Sequence, residues 1–189
     1  MPGKEKYYVA LLRGINVGGK NLIKMDDLKR CFSEAGFTDV RTYIQSGNVF
    51  FRTGIPREKL PAILSAMLKD RFGYELPVMV KSREQIERVV SQKPERFGEE
   101  NDDFWYDVFF FSDSVSAKDV YEQHIRIREG VDFVSCGDHA LYISRLRKGL
   151  TKSYINKISS TPVFNDITAR NWNTTSKLLE LMNDCSRDA

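Results

Sequence analysis

The sequence predicts an α+β fold made of two tandem ferredoxin-like, split β-α-β halves, each running through a β-α-β-β-α-β-α order. Three observations carry that expectation. Apolar segments with strand character alternate with segments of helical three-four spacing along all 189 residues. Counterpart elements recur roughly ninety to a hundred residues apart, so the duplication rests on element order. Between the two series lies Lys93–Asp103 (KPERFGEENDD), which has a proline, a glycine and an acidic cluster but no apolar period, the composition of a connection. The expected halves are therefore 1–93 and 104–189, with 94–103 as the linker.

Tyr7–Leu12 (YYVALL) is apolar without polar alternation, the pattern of a central strand covered on both faces, and Arg13 marks its exit. Met25, Leu28, Cys31, Phe32 and Ala35 then fall on one helical face, with Asp26 and Asp27 in the first turn, where the helix dipole favours acids, and Gly36 at the end. Residues 40–44 and 49–51 flank Gln45-Ser-Gly-Asn48, the residue chemistry of a tight hairpin. From Pro56 to Phe72 a second helix follows, with Leu60, Ile63, Leu64, Met67, Leu68 and Phe72 on its apolar face and Gly73 as its stop. Leu76–Val80 reads as a strand, and Arg83–Gln92 as a helix capped by Ser82.

In the second half Phe104–Phe111 is a strongly apolar strand and Ser116–His124 a short helix. Val131–Ser135 and Ala140–Ser144 form a hairpin pair across Cys136-Gly-Asp-His139. A short helix is expected at Tyr154–Ile158 and an edge strand at Asp166–Thr168. The last helix, Thr174–Met182, presents Leu178, Leu179, Leu181 and Met182.

Composition narrows the functional classes. Hydrophobic residues at 41% and charged residues at 29% supply a packed core and argue against disorder. No apolar run approaches the ~20 residues that span a bilayer, and Met1–Lys6 lacks a signal-peptide core, so the expectation is a cytoplasmic protein without membrane contact. Cys31, Cys136 and Cys185 are odd in number and scattered, as befits reduced thiols. His124 and His139 are not spaced as metal ligands, so no metal is expected, and no Gly-x-Ser-x-Gly elbow is present. The formal net charge of +3 does not by itself call for nucleic acid and leaves anionic small molecules open.

Two concentrations of polar signal point to such a molecule. The first is the loop after the opening strand, Arg13-Gly-Ile-Asn-Val-Gly-Gly-Lys20. Gly14, Gly18 and Gly19 permit positive φ and close backbone approach, so successive N–H groups can converge on an anion beside Arg13, Asn16 and Lys20. It is neither a Walker sequence nor a three-glycine dinucleotide turn. Ser46 and Asn48 add a hydroxyl and an amide from the hairpin, residues that the turn also needs for its own geometry. The second concentration is Arg170-Asn-Trp-Asn173 with Lys177, where Asn173 is the expected cap of the last helix and its first N–H groups offer an anion seat. The same asparagines also serve the backbone, and Trp172 suits the core.

The expectation is thus a site for a nucleotide or phosphorylated metabolite between the first strand loop and the C-terminal helix, lined by Arg13, Asn16, Gly18, Gly19, Lys20, Ser46, Asn48, Arg170, Asn171, Asn173 and Lys177. No member of the set is an obvious general base, so binding is better supported than catalysis, and neither a cofactor nor an oligomeric state is assigned. An alternative is nucleic-acid binding through Tyr7, Tyr43, Phe51 and Trp105 on strands beside basic loops, although the aromatic RNA-recognition signature is absent. A third reading is a structural or interaction module, with Arg13 and Arg170 paired to acids. The arginines and lysines at 126, 128, 145, 147, 148 and 152 suit solvated strand and loop faces.

Leu11-Leu-Arg-Gly-Ile-Asn-Val-Gly-Gly19, Leu22 with Met25 and Leu28, Gly36-Phe37, Val40-Arg-Thr-Tyr-Ile-Gln-Ser-Gly-Asn48 and Thr168-Ala-Arg-Asn-Trp-Asn-Thr174 with Lys177-Leu178 closely resemble one bacterial family, the domain of unknown function number 1697. The resemblance spans nearly the whole chain, with its strongest motifs at the two ends. It implies a duplicated α+β arrangement with ferredoxin-like halves and carries over no activity, substrate or catalytic residue.

Overall fold

A computed structural model describes residues 5–19, 21–99 and 103–187; Lys20 and residues 100–102 of the expected linker lie outside these, as does the side chain of Cys185. The fold is α+β, with two four-stranded antiparallel sheets. The chain divides into two compact units, Met1–Glu84 with Glu180–Ala189, and Gln85–Leu179.

The first unit holds β1 (Lys6–Leu12), α1 (Met25–Glu34), β2 (Thr38–Tyr43), β3 (Asn48–Thr53), α2 (Leu60–Phe72) and β4 (Val78–Ser82). Its sheet runs in the order β2-β3-β1-β4, with Tyr8 opposite Phe51 and Ala10 opposite Val80. Successive side chains of a strand point to opposite faces. Tyr8, Ala10 and Leu12 face a core shared with Leu28, Phe32, Leu60, Leu64 and Leu68, while Tyr7, Val9 and Leu11 on the other face are buried as well. β1 is therefore the doubly covered central strand that its unbroken apolar run predicts.

Phe51 organises that core: the rings of Phe32 and Phe37 meet it at 5.4 and 4.9 Å, the tilted and edge-on geometry that aromatic quadrupoles favour. The expected stops hold, since Gly36 and Gly73 both take positive φ and Gly73 N–H closes α2 on the Lys69 carbonyl. Two departures are local. α2 starts at Leu60 after a 3-10 turn at Arg57–Lys59, because Pro56 leads into a tight turn whose Lys59 N–H bonds the Pro56 carbonyl. Ile63, placed on the apolar face by spacing, is exposed.

The second unit begins within α3 (Arg83–Ser91) and contains β5 (Phe104–Phe111), α4 (Ala117–His124), β6 (Asp132–Cys136), β7 (Ala140–Leu146), β8 (Ile167–Asn171) and the first half of α5 (Trp172–Arg187). Its sheet order is β6-β7-β5-β8. Ser116 caps α4, its hydroxyl accepting from Asp119 N–H at 3.0 Å. Phe109, Phe111, Val120, Leu141, Ile143, Ile155 and Ile158 form the core on one sheet face.

Three further departures from expectation belong to this unit. Three 3-10 turns, Arg147–Lys152, Ile155–Ser160 and Pro162–Asp166, stand where a short helix was expected. Gly149, Ser153 and Pro162 interrupt any helical run there. β8 continues to Asn171 and passes straight into α5, so both elements extend beyond the predicted bounds. Phe97, inside the expected linker, is buried and meets Tyr106, Tyr142 and Trp172 edge-on at 5.1 to 5.4 Å. Tyr142 in turn donates its hydroxyl to the Val89 carbonyl of α3 at 2.7 Å.

Candidate functional site

The loop after β1 is shaped by its own polar side chains. Gly14, Asn16, Gly18, Gly19 and Asn21 all take positive φ between 49° and 74°, a conformation that L residues other than Asn and Asp rarely adopt. Asn16 braces the loop: its amide donates to the Ile23 and Gln45 carbonyls at 3.0 and 2.9 Å, and its oxygen accepts from Ile23 N–H at 2.9 Å. Asn21 closes the other side by donating to the Gly14 carbonyl. At Gly14, Gly18 and Gly19 an added methyl would meet nothing within 4 Å. The backbone there is accessible.

The hairpin between β2 and β3 lies against this loop. The Gly47 carbonyl accepts from Leu12 N–H at 2.9 Å, and a methyl on Gly47 would sit 2.7 Å from Ile15 Cδ1 and 2.8 Å from Leu12 Cβ. Asn48, fully buried, donates to the Tyr43 carbonyl and to Ser46 Oγ. The structure thus brings Arg13, Asn16, Gly18 and Gly19 together with Ser46 and Asn48 at one end of the first sheet, where Arg13 N–H also bonds the Pro77 carbonyl. Sequence reasoning missed three exposed apolar neighbours, Val17, Leu22 and Ile44. Ile44 takes a φ of +49°, costly for a β-branched residue. Nothing in its residue type signalled that.

The second set of expected residues gathers where β8 enters α5. Arg170 is only 7% exposed and donates to the Ala169 carbonyl. Burial lowers its guanidinium to about 10, which still leaves it cationic at neutral pH. Two residues earlier on the same face, the buried Thr168 hydroxyl has no hydrogen-bond partner among the described residues. The helix cap is Asn171 and not the expected Asn173: Asn171 accepts from Asn173 N–H at 2.9 Å and donates to the Tyr106 carbonyl. The physical reason is that α5 starts at Trp172, which leaves Asn173 inside its first turn with an exposed side chain. Lys177 is half-buried one turn further on. Trp172 packs into the core against Phe97 and Gly98.

Other groups fall outside the expected set. Asp107 on β5 is buried against Arg145 of β7 and accepts from Trp105 Nε1 at 3.0 Å. Burial pushes its carboxyl up, against the pull of Arg145. Of the strand aromatics considered for base stacking, Tyr7 and Phe51 are buried, whereas Trp105 is 37% exposed beneath Arg147, whose guanidinium carbon lies 5.2 Å from the ring centre. Among the described residues no helix is long and apolar enough to cross a membrane.

Comparison with known proteins adds the relatives. A conserved bacterial protein from Streptococcus pneumoniae has a similar solved structure, with a TM-score of 0.80 and 23% sequence identity over 95% of this chain and 99% of that one. That likeness is one of fold. No curated protein matches the sequence. The family model described as "Protein of unknown function (DUF1697)" matches residues 6–142, which take in β1, its loop, the hairpin of β2 and β3, and β6 with the start of β7. The chain belongs to the DUF1697 family.

Proposed function

We propose that the chain binds an anionic small molecule, a nucleotide or a phosphorylated metabolite, with its main seat in the loop after β1. The observation that carries this reading is the set of positive-φ residues Gly14, Asn16, Gly18, Gly19 and Asn21, whose glycines have open space beside them. Backbone N–H groups in such a loop form an anion-accepting concavity. Arg13 and Lys20 supply charge, Gly18 and Gly19 the close approach, Asn16 the bracing, and Ser46 the neighbouring hydroxyl, held by the buried amide of Asn48. Arg170, Asn171, Asn173 and Lys177 form a second cationic seat at the start of α5, with Arg170 kept positive in spite of its burial.

Charge-assisted hydrogen bonds to arginine contribute about 1.5 to 3 kcal/mol each, and a helix-terminus effect about 0.3 to 1 kcal/mol. After the entropy of association, affinities of about micromolar to millimolar follow. The reading treats each unit as a ferredoxin-like half. In support, both sheets place the unit's strands in the order second, third, first, fourth. A cytoplasmic setting belongs to the same proposal, supported by free thiols at Cys31 and Cys136.

The test is a thermal-shift screen of the full chain against nucleotides and sugar phosphates, followed by titration calorimetry on any hit. A hit raises the melting temperature of the native chain, and Arg13→Ala removes that response. If no member of the panel shifts the melt, or if Arg13→Ala and Arg170→Ala respond as the native chain does, the proposal fails.

A further inference from the structure

On the face of the second sheet opposite the Phe109–Ile143 core, Tyr106 of β5, Ser144 of β7 and Phe133 of β6 stand in one row across three strands, since Tyr106 and Phe133 both pair with Ser144. Phe104 lies two residues before Tyr106 on the same face, and Ser135 two residues after Phe133. The segment Pro94–Phe97 faces this row, and together they line an open cavity of about 260 Å³. The aromatic walls are well defined. The rings of Phe104 and Tyr106 are inclined at 29° with centres 6.2 Å apart; Phe133 stands at 69° to Phe104, and Phe97 at 69° to Tyr106. Phe133 is 50% exposed, so its ring is open to solvent on this side.

The charge around these rings selects the class of ligand. Glu95 lines the cavity, and of the charged residues described between 94 and 99, Glu95 and Glu99 are acids and Arg96 is a base. That base, Arg96, also lines the cavity, but its Nε lies 3.5 Å from Glu99 Oε2. A phosphate would meet carboxylate repulsion here. A neutral apolar ligand would desolvate Glu95 without compensation. An organic ammonium group uses both features, because ring faces attract a cation within about 6 Å of their centres and a nearby carboxylate adds to that attraction. Cavities for drug-sized ligands start at about 300 Å³, so this one suits a single small headgroup, with Ser135 and Ser144 available to an attached hydroxyl.

We infer that this aromatic corner is a binding site for a small organic ammonium ion of the quaternary or methylated class, additional to the anion seats and independent of them. The probe is choline, titrated against the full chain while the aromatic NMR resonances are followed. Its uncharged isostere 3,3-dimethylbutan-1-ol and a nucleoside serve as controls. Choline shifts the signals of Phe104, Tyr106 and Phe133 with an affinity of about millimolar, at least about fivefold tighter than the isostere. Phe133→Ala removes an exposed wall without opening the core, and Glu95→Gln removes charge at constant shape. Each weakens choline binding about threefold or more and leaves the melting temperature near that of the native chain, while Arg13→Ala leaves choline binding unchanged. The inference is overturned if the isostere or the nucleoside binds as tightly as choline, if the three aromatic signals do not move, or if both wall variants bind choline as the native chain does.

Discussion

Tyr142 carries the plainest link between one side chain and a measurable pH effect. It is 2% exposed and donates to the Val89 carbonyl at 2.7 Å, and burial pushes its hydroxyl from 10.0 up to about 12. Below pH 10 the residue is protonated in the folded and the unfolded chain alike, so its full stabilising contribution is present. Between pH 10 and about 12 the unfolded chain gives up the proton while the folded chain keeps it, and stability falls as pH rises. Two pKa units correspond to about 2 to 3 kcal/mol. Tyr142→Phe is therefore less stable than the native chain at pH 8 by about 1 to 3 kcal/mol, having left the Val89 carbonyl unpaired. That gap narrows between pH 10 and 12. Urea melts of both proteins across this range check it, and a gap independent of pH would refute the assignment. Tyr8, also raised by burial, is common to both proteins and cancels in the comparison.

At the scale of elements, the junction of β8 and α5 shows where residue patterns mislead. Asn173 satisfies every sequence rule for a cap, yet the cap is Asn171, because the strand runs into the helix with no intervening loop. Loss of an Asn cap costs about 1 to 2 kcal/mol. Asn171→Ala should lose that amount in urea denaturation, whereas Asn173→Ala, whose side chain is exposed, should stay within about 0.5 kcal/mol of the native chain. Equal effects would argue against the observed register. Elements defined by local period were legible: α1, α4 and the doubly buried β1 lie close to where apolar spacing puts them, and Gly73 ends α2 as expected. Less legible were elements set by tertiary context. The 3-10 turns from Arg147 to Asp166 have no period to read, and a β-branched residue at position 44 gives no sign of the positive φ it takes. The candidate site divides the same way. Gly14, Gly18 and Gly19 announce their backbone in the sequence, whereas the cavity walls at Phe104, Tyr106 and Phe133 meet only through strand register.

For the molecule as a whole, the expected halves at 1–93 and 104–189 differ from the compact units, and the difference has an energetic consequence. The first unit takes in Glu180–Ala189, and the second begins at Gln85. Within the first unit Arg83 Nε donates to Asn183 Oδ1 at 3.0 Å, and Met182, on the same C-terminal stretch, is fully buried in the whole chain. A composition shift is a local signal, whereas a compact unit depends on which distant residues pack together, so the two need not fall at the same place. A fragment of residues 1–93 thus lacks a polar tie of its own unit and a methionine that is buried in the full chain. Truncating Met182 alone, as Met182→Ala, should cost about 2 to 5 kcal/mol in the full chain, against a net stability of about 5 to 15 kcal/mol for a domain. The fragment, which loses that contact and the Arg83 tie together, should melt at a lower temperature and with a broader transition than the full chain, as followed by circular dichroism. Arg83→Ala in the full chain should reproduce only a small part of the loss, because a partly exposed hydrogen bond contributes about 0.5 to 1.5 kcal/mol. A fragment that melted as sharply and at the same temperature as the full chain would mean that the C-terminal residues add nothing to the first unit, and the expected boundary after residue 93 would then be the better description.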